Sequence, residues 1–182
     1  MTTKSKSAST LLRHAIRRTR LAPVLAVVDE QRRVVRLRFL DPDAPDADAE
    51  RVLAPLRRAG CELLADARAC AGLLRQVDEF VRGRRTDLEV VLAPQGTPFQ
   101  QRVWKELGRV PYGATLSYGE LARRIGRPTA VRATARANAT NPVALAVPCH
   151  RVVGKDGAVT GYNGGIAVKT ALLAMERRRR GG

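Results

Sequence analysis

The sequence predicts a protein of two domains, a mixed α/β N-terminal half and a mostly helical C-terminal half that contains a helix-turn-helix. Apolar and polar residues alternate over Val35–Phe39, strand patterns give way to capped helices near Pro94, and two short helices meet at a turn with Gly126. The 182 residues are enough to bury a core without disulfide bonds. We expect a disordered tail at residues 1–10, an α/β domain at 11–93 and a second domain at 94–182.

In the N-terminal half, the apolar run Val24–Val28 and the alternating run Val35–Phe39 predict an antiparallel strand pair joined around Asp29–Arg33. The segment Asp41–Asp48 contains two prolines and is predicted to be a loop. Two helices should follow, and Leu88–Leu92 favours a further strand. One apolar face of the second helix is formed by Leu73, Leu74, Val77, Phe80 and Val81.

Two capping boxes open helices in the C-terminal half. Thr97 with Gln100, and Pro98 at the first helical position, begin one helix, and Ser117 with Glu120 begin another. In such boxes the two side chains bond each other's backbone N–H groups, so both starting points are well specified.

The Ser117 helix should stop at Gly126, and a further helix should run from Pro128 to about Thr140, where Asn141 and Pro142 end it. Two short helices around a glycine turn are typical of a DNA-binding helix-turn-helix, although helical hairpins are also common in protein cores.

The charge is unevenly distributed. The net charge is +16, and residues 91–182 hold 15 basic and 4 acidic side chains, against 18 and 13 in residues 1–90. A basic surplus in one half favours a polyanion such as DNA as partner. The alternative is a general bias of composition, since 28 of the 33 basic residues are Arg.

The three cysteines, with no Cys-x-x-Cys pair, indicate a reducing compartment and argue against a structural zinc site. The chain has no apolar run of transmembrane length and its first ten residues lack a signal-peptide core, so we expect a cytoplasmic protein.

The densest group of reactive residue types is Cys149, His150 and Arg151. A cysteine attacks as its thiolate, which neighbouring cations favour. The alternative is an inert buried thiol, the expected state of Cys61 and Cys70 among their leucines.

Four segments of the C-terminal half carry a specific resemblance: Gly96–Trp104, Ser117–Ala122, Asn141–Val152 and Gly157–Gly165, followed by a helix with Lys169 and Glu176. Over about residues 94–177 they closely resemble the O6-alkylguanine-DNA alkyltransferases, also called methylated-DNA–protein-cysteine methyltransferases. Near the N-terminus, Leu21–Leu25 is also similar. The resemblance implies a ribonuclease H-like N-terminal domain with a small antiparallel sheet and a winged-helix-like C-terminal domain.

The resemblance implies that Cys149 takes the alkyl group from O6-alkylguanine, or from O4-alkylthymine, in duplex DNA, once per molecule. Glu176 would orient His150, which would remove the thiol proton through a water. Asn141 would hold the turn before the active-site segment.

The resemblance also implies substrate and DNA contacts. Tyr118 would donate to guanine N3, the carbonyls of Cys149 and Val152 would accept from its amine, and the Asn163 N–H would donate to O6. Tyr162 and Lys169 are further expected substrate-site residues. Arg132 would enter the minor groove and fill the space of the flipped base. The other expected DNA contacts are Ser117, Thr129, Ala130, Arg136, Asn138 and Arg151.

No cofactor, metal or membrane is implied, and we expect a monomer. The sequence departs from the family at Ala135 and Arg136, where many relatives have two glycines, at Arg127, where a better N-cap residue is usual, and at Ala22, where a turn glycine is usual.

Three other functions are a non-catalytic damage sensor, which would lack Cys149, a regulator with an added cysteine-rich zinc domain, and a Cys–His hydrolase. The length and the three cysteines disfavour the regulator. A hydrolase would not need the basic helix-turn-helix.

Overall fold

The computed structural model describes residues 9–180, so residues 1–8 of the expected tail lie outside the described residues. The N-terminal half contains β1 (Leu11–Arg17), β2 (Val24–Asp29), β3 (Val34–Phe39), α1 (Pro45–Arg58), β4 (Glu62–Ala65) and α2 (Ala67–Val81). The C-terminal half contains α3 (Pro98–Leu107), β5 (Leu116–Ser117), α4 (Tyr118–Arg124), α5 (Val131–Ala139), β6 (Val152–Val153) and α6 (Ile166–Arg180). The chain is therefore mixed α/β, as the sequence predicts.

The N-terminal sheet has the strand order β3-β2-β1-β4. The predicted hairpin is confirmed, since β2 pairs antiparallel with β3 and Val24 lies opposite Phe39. The Asp29 carboxylate fixes its turn by accepting from the backbone N–H and the Nε of Arg33 at 2.8 and 2.6 Å. Strands β1 and β4, which the sequence analysis missed, pair in parallel with each other.

Two predicted boundaries and one predicted strand are wrong. The predicted loop Asp41–Asp48 ends early, because Pro45 takes the first position of α1, where its missing N–H costs nothing. Leu88–Leu92 forms no strand and makes one isolated bridge, between Val34 and Leu92. The helix expected from Pro128 begins at Val131, without a side-chain cap.

Both predicted capping boxes are confirmed. Thr97 and Gln100 bond reciprocally at the start of α3, and Ser117 and Glu120 do so at the start of α4. After α4, Gly126 has a φ of 70°, a left-handed conformation that suits glycine at a helix end. Helices α4 and α5 contact each other and α3, as expected for a helix-turn-helix supported by a third helix.

The largest core cluster combines side chains from both halves of the chain. Phe39 and Phe80 belong to it together with Trp104, Leu121 and Leu172. A smaller cluster lies on the other face of the sheet, against α1. The C-terminal half therefore packs on the sheet face that also carries α2. No helix among residues 9–180 is long and apolar enough to cross a membrane.

Candidate active site

The segment between α5 and Cys149 is held by the side chain of Asn141. Its Nδ2 donates to the carbonyl of Val147 at 2.7 Å, and its Oδ1 accepts from the N–H of Val143 at 3.1 Å. Within this turn Leu145 has a φ of 68°, which a branched residue rarely adopts. Asn141 is buried and thus satisfies two backbone groups that water does not reach.

The same segment is hydrogen-bonded to the outer strand of the sheet. The N–H of Leu37 donates to Pro142 O at 2.9 Å, and the N–H of Ala144 donates to Leu37 O at 2.8 Å. Strand β3 thus fixes the position of the chain just before Cys149, a contribution of the N-terminal half that the sequence analysis missed.

Cys149 lies in a short 3-10 turn and is only 5% exposed. Burial raises the pKa of its thiol, although a hydrogen bond with Asn141 and the charge of Lys169 act in the opposite direction. The thiol therefore rests protonated at neutral pH and needs a base to become a nucleophile. The cavity beside it has a volume of about 10 Å³, the room of one water.

His150, the residue after Cys149, is completely buried. Its Nε2 is 2.8 Å from Glu176 Oε1, and its Nδ1 has no hydrogen-bond partner in the described part of the chain. Burial lowers the pKa of His150 more than Glu176 raises it, so the ring is neutral at pH 7. A neutral ring that donates from Nε2 to a carboxylate has a lone pair on Nδ1, and this atom can accept a proton.

Glu176 is the centre of a buried network. Its carboxylate accepts from Arg151 Nε and Nη2 at 2.9 and 3.0 Å and from the N–H of Gly113 at 2.8 Å. Burial alone would raise the pKa of Glu176, but hydrogen bonds from His150 and Arg151 outweigh it and hold the pKa at about 2. Arg151 also donates to Val110 O at 2.6 Å.

Lys169 links the active-site segment to the loop that precedes α6. Its buried Nζ donates to Val152 O at 2.6 Å and to Thr160 O at 2.8 Å. Burial lowers the pKa of Lys169, and the nearby Cys149 acts in the opposite direction. Any negative charge on the thiol would therefore be stabilised by this ammonium group.

The loop before α6 closes over the thiol. Tyr162 and Asn163 line the cavity together with Phe39 from β3. The ring of Tyr162 lies edge-on to His150 with centroids 6.4 Å apart, and Asn163 Nδ2 donates to Ala139 O at the end of α5. We call residues 162–165 the site loop.

Tyr118, at the start of α4, is tied to the chain before this loop. Its hydroxyl lies 3.1 Å from Thr160 Oγ1, where either atom can donate. The structure thus brings the predicted substrate-site residues Tyr118, Val152, Tyr162, Asn163 and Lys169 into one region, through contacts with each other or with Cys149.

The surface of α5 carries exposed Arg132 and Arg136, and Thr129 is exposed just before it. Ser117 and Ala130 are partly exposed, and the Ser117 hydroxyl is already used as the N-cap of α4. A hydrogen bond of 2.8 Å from Trp104 Nε1 to Ala137 O fixes the helix on α3.

Two residues predicted to contact DNA are placed elsewhere. Asn138 is buried, and its Nδ2 points at the carbonyl of Cys149 at 3.4 Å. Arg151 is buried and bonded to Glu176. Both side chains face the protein interior, so the assignment of Asn138 and Arg151 as DNA contacts is wrong.

The chain matches a family described as "6-O-methylguanine DNA methyltransferase, DNA binding domain" over residues 98–178. It is 51% identical over 114 residues to a Mycobacterium tuberculosis protein named methylated-DNA–protein-cysteine methyltransferase, covering 63% of this chain and 69% of the relative.

Its fold is similar to the crystal structure of Mycobacterium tuberculosis O6-methylguanine methyltransferase, with a TM-score of 0.78, 39% identity and coverage of 92% of this chain and 94% of the other. A structure of Mycobacterium tuberculosis OGT in complex with DNA matches with a TM-score of 0.76 and 37% identity, covering 93% and 94%.

Proposed function

Since the chain belongs to the family of methylated-DNA–protein-cysteine methyltransferases, we propose that it repairs DNA by moving the alkyl group of O6-alkylguanine in duplex DNA onto its own Cys149. O4-alkylthymine is a further candidate lesion. The observation that carries this proposal is the order Cys149, His150, Glu176, in which a buried thiol lies next to a neutral imidazole oriented by a carboxylate.

The proton and the electrons can be followed through the reaction. His150 Nδ1 takes the proton of the Cys149 thiol through one water, and Glu176 stabilises the resulting imidazolium. The thiolate sulfur forms a bond to the alkyl carbon, the bond from that carbon to guanine O6 breaks, and its electron pair stays on the purine. Tyr118 donates toward guanine N3, where the charge develops.

The product is a thioether on Cys149. Its sulfur is a poor leaving group for water, so each molecule acts once. The thiol proton passes from His150 to solvent, and the purine anion takes a proton from solvent at N1, the ring nitrogen that carries hydrogen in ordinary guanine.

The pocket groups remain available for the base. A carbonyl oxygen has two lone pairs, so Val152 O can accept from the guanine amine while it also accepts from Lys169. The carbonyl of Cys149 already accepts from the N–H of Val152, and Asn138 Nδ2 contacts it at 3.4 Å, so the guanine amine would replace this long Asn138 contact. The Asn163 backbone N–H would donate to O6.

The site loop has to move when the base enters. A cavity of about 10 Å³ holds one water and no purine. Tyr162 to Gly165 would therefore shift outward, and this shift would break the contact of Asn163 with Ala139 O at the end of α5. Binding of the base and docking of α5 on DNA are coupled in this way.

DNA would dock on α5 in the minor groove. The exposed guanidinium of Arg132 would fill the space that the flipped nucleotide leaves, and Arg136, Thr129 and Ser117 would contact the backbone. Ala130 would lie against the groove. Ala135 stands where many relatives have glycine, and it is only partly exposed on this helix.

The proposal also includes the finer expectations: ribonuclease H-like and winged-helix-like domains with a boundary near residue 94, a cytoplasmic monomer, and no metal or cofactor. The second candidate function is a damage sensor that flips the base without reacting. The buried relay behind Cys149 favours the transferase, because a sensor has no use for a base next to a thiol.

The test is intact-protein and peptide mass spectrometry after incubation with a duplex that contains one O6-methylguanine. We expect one added methyl per protein, on the peptide with Cys149. The Cys149→Ser variant should bind the duplex and gain no methyl, and Cys61→Ser, a matched control at a half-buried thiol, should react like the wild type. A folded, reduced, DNA-binding protein without a mass shift would instead indicate the sensor.

A further inference from the structure

Exposed arginines of three separate segments meet at the C-terminal end of α6. Arg17 is the last residue of β1, and Arg20 follows this strand. Arg84 follows α2. The last turns of α6 contain Arg177, Arg178 and Arg179. We call these six residues the distal basic surface.

Contacts between the segments bring these arginines together. Arg20 Nη2 lies 3.4 Å from the sulfur of Met175 in α6, and the guanidinium of Arg179 donates to Gly83 O after α2. Asp78 has its pKa lowered by a hydrogen bond from Arg82 and, more weakly, by the charges of Arg17 and Arg84. The ends of β1, α2 and α6 therefore share one patch.

This patch is remote from the proposed DNA surface. Helix α6 begins at Ile166, directly after the site loop, and has 15 residues, so its two ends are about 20 Å apart. The site loop contacts the end of α5, whereas the distal basic surface lies at the other end of α6.

In the described part of the chain, the six arginines of the patch form no ion pairs with the protein, although Asp78, which is bonded to Arg82, lies near enough to Arg17 and Arg84 to feel their charges. Some other arginines in the described residues have carboxylate partners, such as Arg57 with Glu50 and Arg82 with Asp78. Within residues 9–180, none of the six arginines of the distal basic surface has a carboxylate oxygen within 4.0 Å. The neighbouring Glu176 is buried and bonded to Arg151.

Helix ends explain only part of this arrangement. The carbonyls at the C-termini of α2 and α6 attract positive charge, but this effect is confined to the last turn of each helix and does not account for Arg17 and Arg20, which lie outside both helices. Clustered like charges repel each other, and a bound polyanion would remove this repulsion.

We propose that the distal basic surface is a second DNA-binding site, which holds the phosphate backbone of another duplex segment while α5 holds the first. Of the proposed function, this second proposal uses one part, the binding of DNA by the α5 surface. Guanidinium groups bind phosphates bidentately and release counterions from DNA, and neither effect depends on base sequence. The second site would therefore bind without regard to sequence or damage and would keep the protein on folded or looped DNA.

The experiment is sedimentation of the full chain at low salt with an excess of two short duplexes that carry different dyes. The wild type should sediment with two duplexes per protein and both colours in one complex. The triple variant Arg17→Gln, Arg177→Gln, Arg178→Gln should bind one duplex. In the wild type, the affinity of the second binding step should fall with salt, with a log-log slope of about 0.9 for each phosphate that the second site contacts.

The matched control is Arg32→Gln, Arg58→Gln, Arg68→Gln, which removes three exposed arginines from other parts of the surface. It should keep two duplexes. One duplex on the wild type, two duplexes on the first triple variant, or an equal loss in both triple variants would overturn the second site. Capture of anionic vesicles or RNA with no second DNA duplex would overturn it as well.

Each of the two duplexes contains one O6-methylguanine, so methyl transfer can be measured in the same samples by mass spectrometry, which separates the two proposals. Two bound duplexes without transfer would leave the second site standing and remove the proposed function. Transfer with a single bound duplex would support the proposed function and overturn the second site. Thermal unfolding of both triple variants checks that a loss of binding does not reflect unfolding.

Discussion

The Nε2 atom of His150 and the Oε1 atom of Glu176 are 2.8 Å apart in a fully buried contact. Glu176 stays ionised because its pKa is about 2, so the carboxylate accepts and the imidazole donates. This contact determines which ring nitrogen keeps the proton and leaves Nδ1 free to act as a base.

Replacing Glu176 by Gln should change the acid stability of the protein. The folded-state pKa of about 2 lies below the unfolded value of 4.5, so the carboxylate stabilises the fold above pH 4.5 and this contribution is lost as the pH falls toward 2. The shift corresponds to about 3 kcal/mol. Urea unfolding of wild type and Glu176→Gln should show a difference at pH 7 that shrinks over this range.

The control for this measurement is Glu89→Gln, which changes an exposed carboxylate and should have little effect at any pH. A stability difference for Glu176→Gln that stays constant from pH 7 to acid would contradict the assignment.

The rate of alkyl transfer should resist mild acid. His150 accepts a proton only when it is neutral, and burial holds its pKa below 6.5. The rate of single-turnover transfer should therefore fall to half of its plateau value only at a pH below 6.5. A midpoint at or above 6.5 would show that another group controls the rate. His14→Gln, which changes the other histidine of the chain, in β1, should leave the profile unchanged.

Gly164→Ala should slow transfer by about tenfold or more. A Cβ at this position would lie 2.7 Å from the Cβ of Phe39 and 2.8 Å from the ring of Tyr162, so the site loop would have to shift. At Gly161 a Cβ meets nothing within 4 Å, which makes Gly161→Ala the matched control. Equal rates for the two variants would show that the position of this loop does not limit the reaction.

Arg132→Ala should slow transfer from duplex DNA by about tenfold or more and leave transfer from the free base O6-methylguanine unchanged. The reason is that Arg132 would fill the space of the flipped nucleotide and takes no part in the chemistry at sulfur. Arg109→Ala removes an exposed arginine that pairs with Glu106 and serves as the control. An equal decrease with both substrates would place Arg132 in the chemical step instead.

The elements that the sequence predicted well are specified by nearby residues. The capping boxes of α3 and α4 and the β2-β3 hairpin depend on contacts within a few positions, and all three are confirmed. Strands β1 and β4 could not be predicted from the sequence, because buried and exposed side chains do not alternate regularly along them. The apolar residues Ile16 and Leu64, for example, are exposed. Their place in the sheet depends on pairing across about fifty residues.

The residue types of the site could be predicted from the sequence, but the burial of its residues and their distant contacts could not. The sequence could not tell that Arg151 faces inward, because adjacent residues of a short 3-10 turn point in different directions. Phe39 and Gly113 reach the site from distant segments, and no local pattern distinguishes them. Such contacts are set by tertiary packing rather than by spacing in the chain.

The position of strand β3 at the edge of the sheet affects how the protein loses activity and aggregates when it is heated. It is the outer strand of the sheet, and its free side is covered by the backbone before Cys149 and by residues 91–93. An uncovered outer strand is a template for pairing with another chain. Detachment of the active-site segment would therefore expose this template at the moment when the thiol loses its geometry, so that inactivation and aggregation begin in one opening event, and damaged DNA bound at the site would delay both together.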